Sequence, residues 1–484
     1  MKPILQIKTE GKQENDEPEP ESETEPVSPT GQYLSSKTLN TCILAILESE
    51  VPIDESCLVP QLRDVFLPIN PRFSSIMQIT DKKGVRLWKK VKVNLHDHVN
   101  IPRFPEGLST ESYDNFFDEY LTKISSEPLP EERPLWELHI INCPTSKAAG
   151  HMIFKLHHAL GDGYSLMGAL LSCVKRADDP SLPLTFPSTR GKLSEVKMKN
   201  TKSCLSLMPI RTLSAIYKGA SDLGWSFMKT TCISDDQTPI RSGNKNPVFN
   251  PINVSTLAFS LDQIKFIKTK LGATVNDTIS GIIFLGTRLY MQETQTKFCN
   301  SRSTAMMILN TRIKRDYMSV DDMINADTKI WGNKFSFLHI ALPKLINDKC
   351  SNPLDFVYKT GKQIKRYRSS PVVYLTSHCL RIMREYKGCE VVAKRIHSTL
   401  SRSSMTMSNM IGPVEQVTLA GHPIKGMYFM ITGNPQSLVI SVMSYSQTLR
   451  IGVGAEKGFI DSKKLNSCIE NAFELIFEAA TKSK

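Results

Sequence analysis

The stretch His151-Met-Ile-Phe-Lys-Leu-His157-His158-Ala-Leu-Gly161-Asp162-Gly163-Tyr-Ser-Leu-Met-Gly168 constrains this chain more than any other. Met152, Phe154 and Leu156 alternate with His151, Ile153 and Lys155, which is the period-two pattern of a strand. Leu166, Met167, Leu170, Leu171 and Val174 then recur at helical spacing. Strand, tight turn and helix in that order ask for an α/β fold and set two adjacent histidines at a strand end. Neighbouring strand side chains point to opposite faces, so one imidazole faces a given cleft and the other packs inside.

An imidazole, with an unperturbed pKa of about 6.5, is suited to taking a proton from a hydroxyl at neutral pH. Asp162 has three open roles: orienting that ring, binding a basic partner that holds the turn, or capping the helix that follows. Gly161 and Gly163 flank it, as a tight backbone reversal needs. The blander reading is a core histidine pair beside an ordinary capped turn. No metal site is expected, because adjacent strand histidines diverge and no third ligand is near. Gly163 to Gly168 is one residue too long for a nucleophile elbow, Leu166 occupies the third glycine position of a dinucleotide fingerprint, and no Gly-Lys pair has P-loop spacing.

The rest of the 484-residue chain frames this stretch. Residues 1–30 carry eight acids against Lys2, Lys8 and Lys12 and read as a disordered acidic tail. Since the whole chain is at +12, the rest is strongly basic, which suits anionic membrane surfaces, phosphorylated cofactors or nucleic acid. Eleven scattered cysteines without a Cys-x-x-Cys pair, and no basic-then-apolar leader at Met1, predict reduced thiols facing the cytosol. The longest charge-free run, Gly426 to Leu449, is broken by Gly433, Asn434 and Pro435 and reads as turn-linked strands rather than a membrane span. Residues 31–180 form a first α/β domain and 181–254 a crossover linker. Within it Ile210, Leu213, Tyr217, Ala220, Leu223 and Phe227 mark an amphipathic helix after Pro209, suited either to a membrane surface or to packing on a domain face. Residues 255–484 form a second α/β domain, with a strand at Thr256 to Ser260 and a long helix from about Asn276 to Met291. Basic residues cluster at Lys362, Lys365, Arg366 and Arg368, but only Tyr367 interleaves with them, so a solvated helix face is expected and no nucleic acid.

With these residues in hand, the sequence resembles the plant wax ester synthase/diacylglycerol acyltransferase family, marked by His-His-x-x-x-Asp-Gly. Asn70-Pro-Arg-Phe-Ser-Ser75, Pro134-Leu-Trp136-Glu137, Asn276-Asp277, Trp331-Gly-Asn-Lys-Phe-Ser-Phe-Leu-His339, Ser408-Asn-Met-Ile-Gly-Pro413 and Gly421-His-Pro423 follow in the family's order from about Pro26 to Ile476. The acidic first 25 residues have no counterpart, and Ser28-Pro-Thr-Gly-Gln-Tyr-Leu34 departs from the usual Ala-Arg after Ser-Pro. The resemblance implies two chloramphenicol acetyltransferase-like α/β domains with mixed sheets, joined by a long crossover around an active-site tunnel. It implies acyl transfer from acyl-CoA, a substrate rather than a cofactor, to a long-chain alcohol or diacylglycerol. His158 would be the general base, with His157 and Asp162 holding the turn and Gly163 allowing close backbone approach. Pro134, Leu135 and Trp136 would belong to the substrate channel, although a Trp buried at a strand start serves equally well. Asn276 and Asp277 would line the cleft or simply cap the long helix. Ser408 and Asn409 read as part of a turn, with Gly412 and Pro413, that would bring hydroxyl and amide donors to the thioester carbonyl, although ordinary polar loop chemistry explains them equally well. The cytosolic face of the endoplasmic reticulum membrane, or the plasma membrane, is the expected location. The competing enzyme reading, a transferase acting on a specialised-metabolite alcohol or amine, shares His-x-x-x-Asp but typically carries an Asp-Phe-Gly-Trp-Gly element that is not found here.

Overall fold

The computed structural model describes residues 25–79, 86–187, 224, 228, 232–243, 251–312, 331–345, 352–370 and 372–483. The first half contributes strands β1 (Glu25–Pro26), β2 (Cys42–Ser49), β3 (Ser75–Ile79), β4 (Arg86–Lys90), β5 (Val99–Asn100), β6 (Trp136–Ile141), β7 (Gly150–His157) and β8 (Val174–Arg176). The second contributes β9 (Ile252–Ser260), β10 (Thr304–Asn310), β11 (Phe335–Ala341), β12 (Met405–Ile411), β13 (Val417–Leu419), β14 (His422–Thr432), β15 (Leu438–Tyr445) and β16 (Thr448–Glu456). They form a seven-stranded sheet ordered β5-β6-β7-β2-β14-β13-β8, a six-stranded sheet ordered β11-β10-β12-β15-β16-β9, and a small sheet β1-β4-β3. Both large sheets mix parallel and antiparallel pairs.

Helices are α1 (Pro29–Leu34), α2 (Glu55–Gln61), α3 (Thr110–Ser126), α4 (Gly163–Ser172), α5 (Leu261–Leu271), α6 (Val275–Thr294), α7 (Leu354–Arg368), α8 (Val372–Lys387), α9 (Cys389–Ser401) and α10 (Ser462–Lys482). The long helix and the turn-linked strands of the charge-free run appear where periodicity puts them. Lys362, Lys365, Arg366 and Arg368 lie exposed on α7, a solvated face. No helix among the described residues is long and apolar enough to cross a membrane.

Three boundaries move. The tail does not extend to residue 30, because β1 pairs Glu25 with Trp88, the Glu25 carboxylate meets Arg72 at 2.5 Å and Val27 is buried. The second half begins at Ile252, where β9 opens along β16. Most consequentially, the division at 254/255 is not a division between sheets. β13 and β14 belong to the first sheet, and β14 pairs along the whole of β2 from Thr432↔Cys42 to Ile424↔Ser49. β14 and β15 are neighbours in sequence yet sit in different sheets, so residues 433–437 carry the chain from one half to the other. Sheets bury apolar surface on both faces here, and the all-apolar Met427 to Ile431 run supplies a central strand that the first half lacks. The expected amphipathic helix at 210–227 and residues 1–24 of the tail lie outside the described residues, Gly224 apart.

β7 is buried throughout despite carrying His151 and Lys155. The Lys155 ammonium donates to the Glu127 carbonyl at 2.8 Å, just past the last turn of α3, where a helix C-terminus attracts a cation. Lys155 on this inner strand is therefore paired rather than stranded, and His151 Nε2 lies 3.4 Å from Thr145 Oγ1.

Candidate active site

β7 ends at His157, and the two imidazoles diverge as strand alternation requires. Ala159 N–H donates to His157 Nδ1 at 3.0 Å, so that nitrogen is unprotonated and Nε2–H donates to Asn40 Oδ1 at 2.9 Å. Both ring nitrogens are used inside the protein. Burial, with the neighbouring His158 ring a lesser cause, pushes the pKa of His157 down to about 3, so it stays neutral. His157 is a positioning residue.

His158 is held differently. Asn333 Nδ2 donates to the His158 carbonyl at 2.8 Å, which fixes the orientation of that amide. Asn333 Oδ1 therefore accepts from His158 Nδ1 at 2.8 Å, and the ring carries its proton on Nδ1. The basic lone pair is left on Nε2, for which no partner stands among the described residues. The His158 N–H donates to Thr41 O at 2.9 Å and Phe335 flanks the ring at 5.4 Å, so both halves fix the base. Burial lowers the His158 pKa, while the nearby Asp162 carboxylate and the Asn333 hydrogen bond oppose that shift. The ring is neutral at rest, and the opposing groups favour its protonated form once it has taken a proton.

Asp162 resolves two of its three open roles at once and drops the third. Its Oδ1 caps α4 by accepting from Ser165 N–H at 3.0 Å. Both carboxylate oxygens grip Arg312, at 2.6 and 2.9 Å, in a pair whose side chains are 6% and 5% exposed. Oδ2 also accepts from Lys334 N–H at 2.9 Å, one residue beyond the asparagine that clamps His158. No hydrogen bond joins Asp162 to the imidazole among the described residues, so beyond its field on the ring the carboxylate positions the base without touching it. It acts through the 331–334 segment, which Arg312 also holds through the Gly332 carbonyl at 2.7 Å and Trp331 Nε1 through Leu160 O at 2.7 Å. Arg312, Trp331 and Asn333 were missed as site residues. Asn333 stands in a motif of the family resemblance, and Arg312 gives no sequence signal at all.

The two glycines act through space rather than through unusual backbone, since neither has a positive φ. A Cβ on Gly163 would come within 2.9 Å of Met410 Sδ, and one on Gly161 within 2.9 Å of Ser165 Cβ. Gly163 thus lets β12 of the second half approach the turn, and the two elements share an apolar crevice with Ile43, Leu156, Leu166, Met167 and Phe429.

Other expected site residues are redistributed. Pro134, Leu135 and Trp136 pack in the core: Trp136 is fully buried, donates through Nε1 to Phe73 O at 2.9 Å, and stacks on His98 at 4.2 Å. Leu135 O accepts from His157 N–H at 3.0 Å, so this segment supports the strand that carries the histidines. Asp277 is neither cleft lining nor N-cap. Thr274 caps α6, with Asp277 completing a capping box. Asp277 also packs so closely on α7 that a Cβ on Gly361 would sit 3.0 Å from its carboxyl carbon. Ser408 and Asn409 lie in strand β12 rather than a turn, because six parallel pairs with β15 hold that stretch extended. Asn409 Nδ2 donates to Asn276 Oδ1 at 3.0 Å, joining two of the expected residues on the second-half wall.

Comparison with known proteins bears on this geometry. The model of the wax ester synthase/diacylglycerol acyltransferase catalytic domain matches residues 35–279, and that of the WS/DGAT C-terminal domain matches 331–477. Wax ester synthase/diacylglycerol acyltransferase 4 of Arabidopsis thaliana is 28% identical, covering 99% of this chain and 94% of the relative. Wax ester synthase/diacylglycerol acyltransferase 7 of the same plant is 27% identical, covering 93% and 97%. Among solved structures, the wax ester synthase/diacylglycerol acyltransferase from Marinobacter aquaeolei VT8 aligns with a TM-score of 0.57 at 15% identity, covering 94% of this chain and 99% of that one. A mutant starter condensation domain of rhizomide synthetase RzmA in complex with C8-CoA aligns with a TM-score of 0.52 at 12% identity, covering 93% and 91%. These structural likenesses show a shared two-half α/β fold.

Proposed function

The chain belongs to the wax ester synthase/diacylglycerol acyltransferase family, and from that membership and the geometry of His158 we infer an acyl-CoA-dependent O-acyltransferase with a lipid alcohol as acceptor. The observation that carries the reading is the Asn333 clamp, which leaves the Nε2 lone pair of a neutral, buried His158 between the two halves. In the proposed reaction Nε2 removes the hydroxyl proton of a long-chain alcohol or of diacylglycerol as its oxygen attacks the thioester carbonyl. The tetrahedral adduct collapses, the C–S bond breaks, and the His158 proton goes to the departing thiolate. The products are a wax ester or triacylglycerol and free coenzyme A. A thioester is already activated, so positioning and proton removal suffice without a covalent acyl-enzyme.

The structural relative bound to C8-CoA supports acyl-CoA as donor. The Asn276–Asn409 pair offers the remaining Asn276 amide protons, and Ser408 its hydroxyl, to the donor's polar groups. Because both acceptors dissolve in bilayers, the proposed workplace is the cytosolic face of the endoplasmic reticulum or the plasma membrane. Purified protein given radiolabelled palmitoyl-CoA with hexadecanol or diacylglycerol should yield labelled wax ester or triacylglycerol. Transfer confined to small polar alcohols or amines would instead support a role in specialised metabolism.

A further inference from the structure

Helix α8 has two apolar faces. Leu380 and Met383 fix one of them against Tyr33, Val392 and Ala393. Leu375, Cys379, Ile382 and Tyr386 form the other, and at about 100° per residue they fall within an arc of about 60°. This second face looks outward: Leu375 is 43%, Ile382 41% and Tyr386 85% exposed, and Cys379 is exposed with them. A surface helix ordinarily turns charge outward, so an exposed apolar stripe of this length calls for a partner.

Charge identifies the partner's chemistry. Arg381, Arg384 and Lys387 share α8, and Lys394 and Arg395 follow on α9, against Glu385 and Glu390. On the same wheel Arg381 and Lys387 lie about 130° and 110° from the centre of the stripe, one on each side, where long side chains reach past the apolar residues to a phosphate layer, while Arg384 lies behind it. An anionic surface complements this flanking pair and a second copy of the same helix does not. Position matters too. α8 packs on β11, whose first residue, Phe335, flanks the His158 ring. The helix that carries the stripe therefore packs on the strand that reaches the base.

We propose that the Leu375/Cys379/Ile382/Tyr386 face of α8 seats the protein in the headgroup region of an anionic bilayer, close to where the acceptor alcohol enters. This rests on the reading of that acceptor as a lipid alcohol. The apolar side chains enter the acyl boundary, Tyr386 sits at the water interface, and Arg381 and Lys387 meet lipid phosphate.

Flotation of the full chain with vesicles of phosphatidylcholine alone, or with about 30% phosphatidylserine, tests the surface without reference to catalysis. Wild type should float with the anionic vesicles. Ile382→Asp/Tyr386→Asp should partition at least about tenfold more weakly, and Arg381→Glu/Lys387→Glu should fall by about fivefold per charge to its level on neutral vesicles. Thermal melting checks that both variants are folded; if the aspartate pair does not fold, the charge reversal at two exposed positions carries the test. Folded variants that float like wild type, or a wild type that ignores anionic vesicles, would overturn the proposal. So would a dimer in solution that Ile382→Asp converts to monomer. Both variants should retain transfer to hexanol and lose transfer to hexadecanol presented in vesicles. A chain that floats through α8 yet acylates no alcohol would overturn the acceptor reading and leave the surface standing.

Discussion

Asn333 holds His158 at two points, accepting from Nδ1 and donating to the backbone carbonyl of the same residue, across 175 positions of sequence. One amide thus sets the tautomer of the base and the angle of its ring. The clamp comes from the second half and the base from the first, so catalytic competence depends on the halves being docked.

Asn333→Ala should lower kcat about 10- to 100-fold with a small change in KM, because the ring is then free to rotate and to carry its proton on Nε2. Asn333→Asp places a carboxylate against Nδ1–H and raises the His158 pKa. The reaction needs the neutral ring, so the acid limb of the kcat/KM profile should move to higher pH. An unmoved limb would mean that residue 333 does not touch the titrating group.

His158→Ala should reduce ester formation by at least about 100-fold while leaving the melting temperature near that of wild type, since the loss is of a base and not of apolar packing. His157→Ala should show the opposite balance, a milder rate loss and a lower melting temperature, because it removes the bonds to Asn40 and Ala159. Full turnover by folded His158→Ala protein would remove the general-base assignment.

The Asp162 pair decides a third outcome. Asp162→Asn keeps a cap acceptor for Ser165 but takes the Asp162 carboxylate away from the buried Arg312, a loss of about 3 to 5 kcal/mol. Asp162→Ala should be no better. The double change Asp162→Asn/Arg312→Gln should be more stable than Asp162→Asn alone, and additive losses in denaturant melts would show that the two side chains are not coupled.

Acid should destabilise the fold through its inner histidines. His151 and His157 are each pushed from 6.5 down to about 3 by burial above all. Below pH 6.5 the unfolded chain takes up protons at these rings and the folded chain does not, so their stabilising contribution is complete above pH 6.5. It declines as pH falls toward 3, by at most about 1.4 kcal/mol per ring per pH unit. His157→Gln removes one of the two titrations, and its melting temperature should fall less steeply than that of wild type between pH 7.5 and 5.

Residues 1–190 alone should neither fold nor turn over, because β2 loses β14 as its neighbour and His158 loses Asn333. Mixing with residues 250–484 should restore some transfer if the two pieces dock. Activity of the first piece by itself would contradict a shared cleft.

The sequence by itself determined the strand that ends in two histidines, the capped helix after it, the long α6 helix, and the family through motifs running in order along the chain. Each of these is written in a few adjacent residues, where side-chain period and turn chemistry act directly. It also determined that the two imidazoles part company, since strand alternation admits nothing else. Only the tertiary structure decided what each ring meets. Asp162 binds a partner 150 positions away, and β14 leaves its sequence neighbours to complete the other half's sheet. Trp136 shows the limit from the other side: the same aromatic residue suits a channel wall or a core, and the backbone carbonyl of Phe73 beside its ring nitrogen made it core. Pairings of this kind depend on which distant surfaces close on one another, and no local pattern encodes that choice.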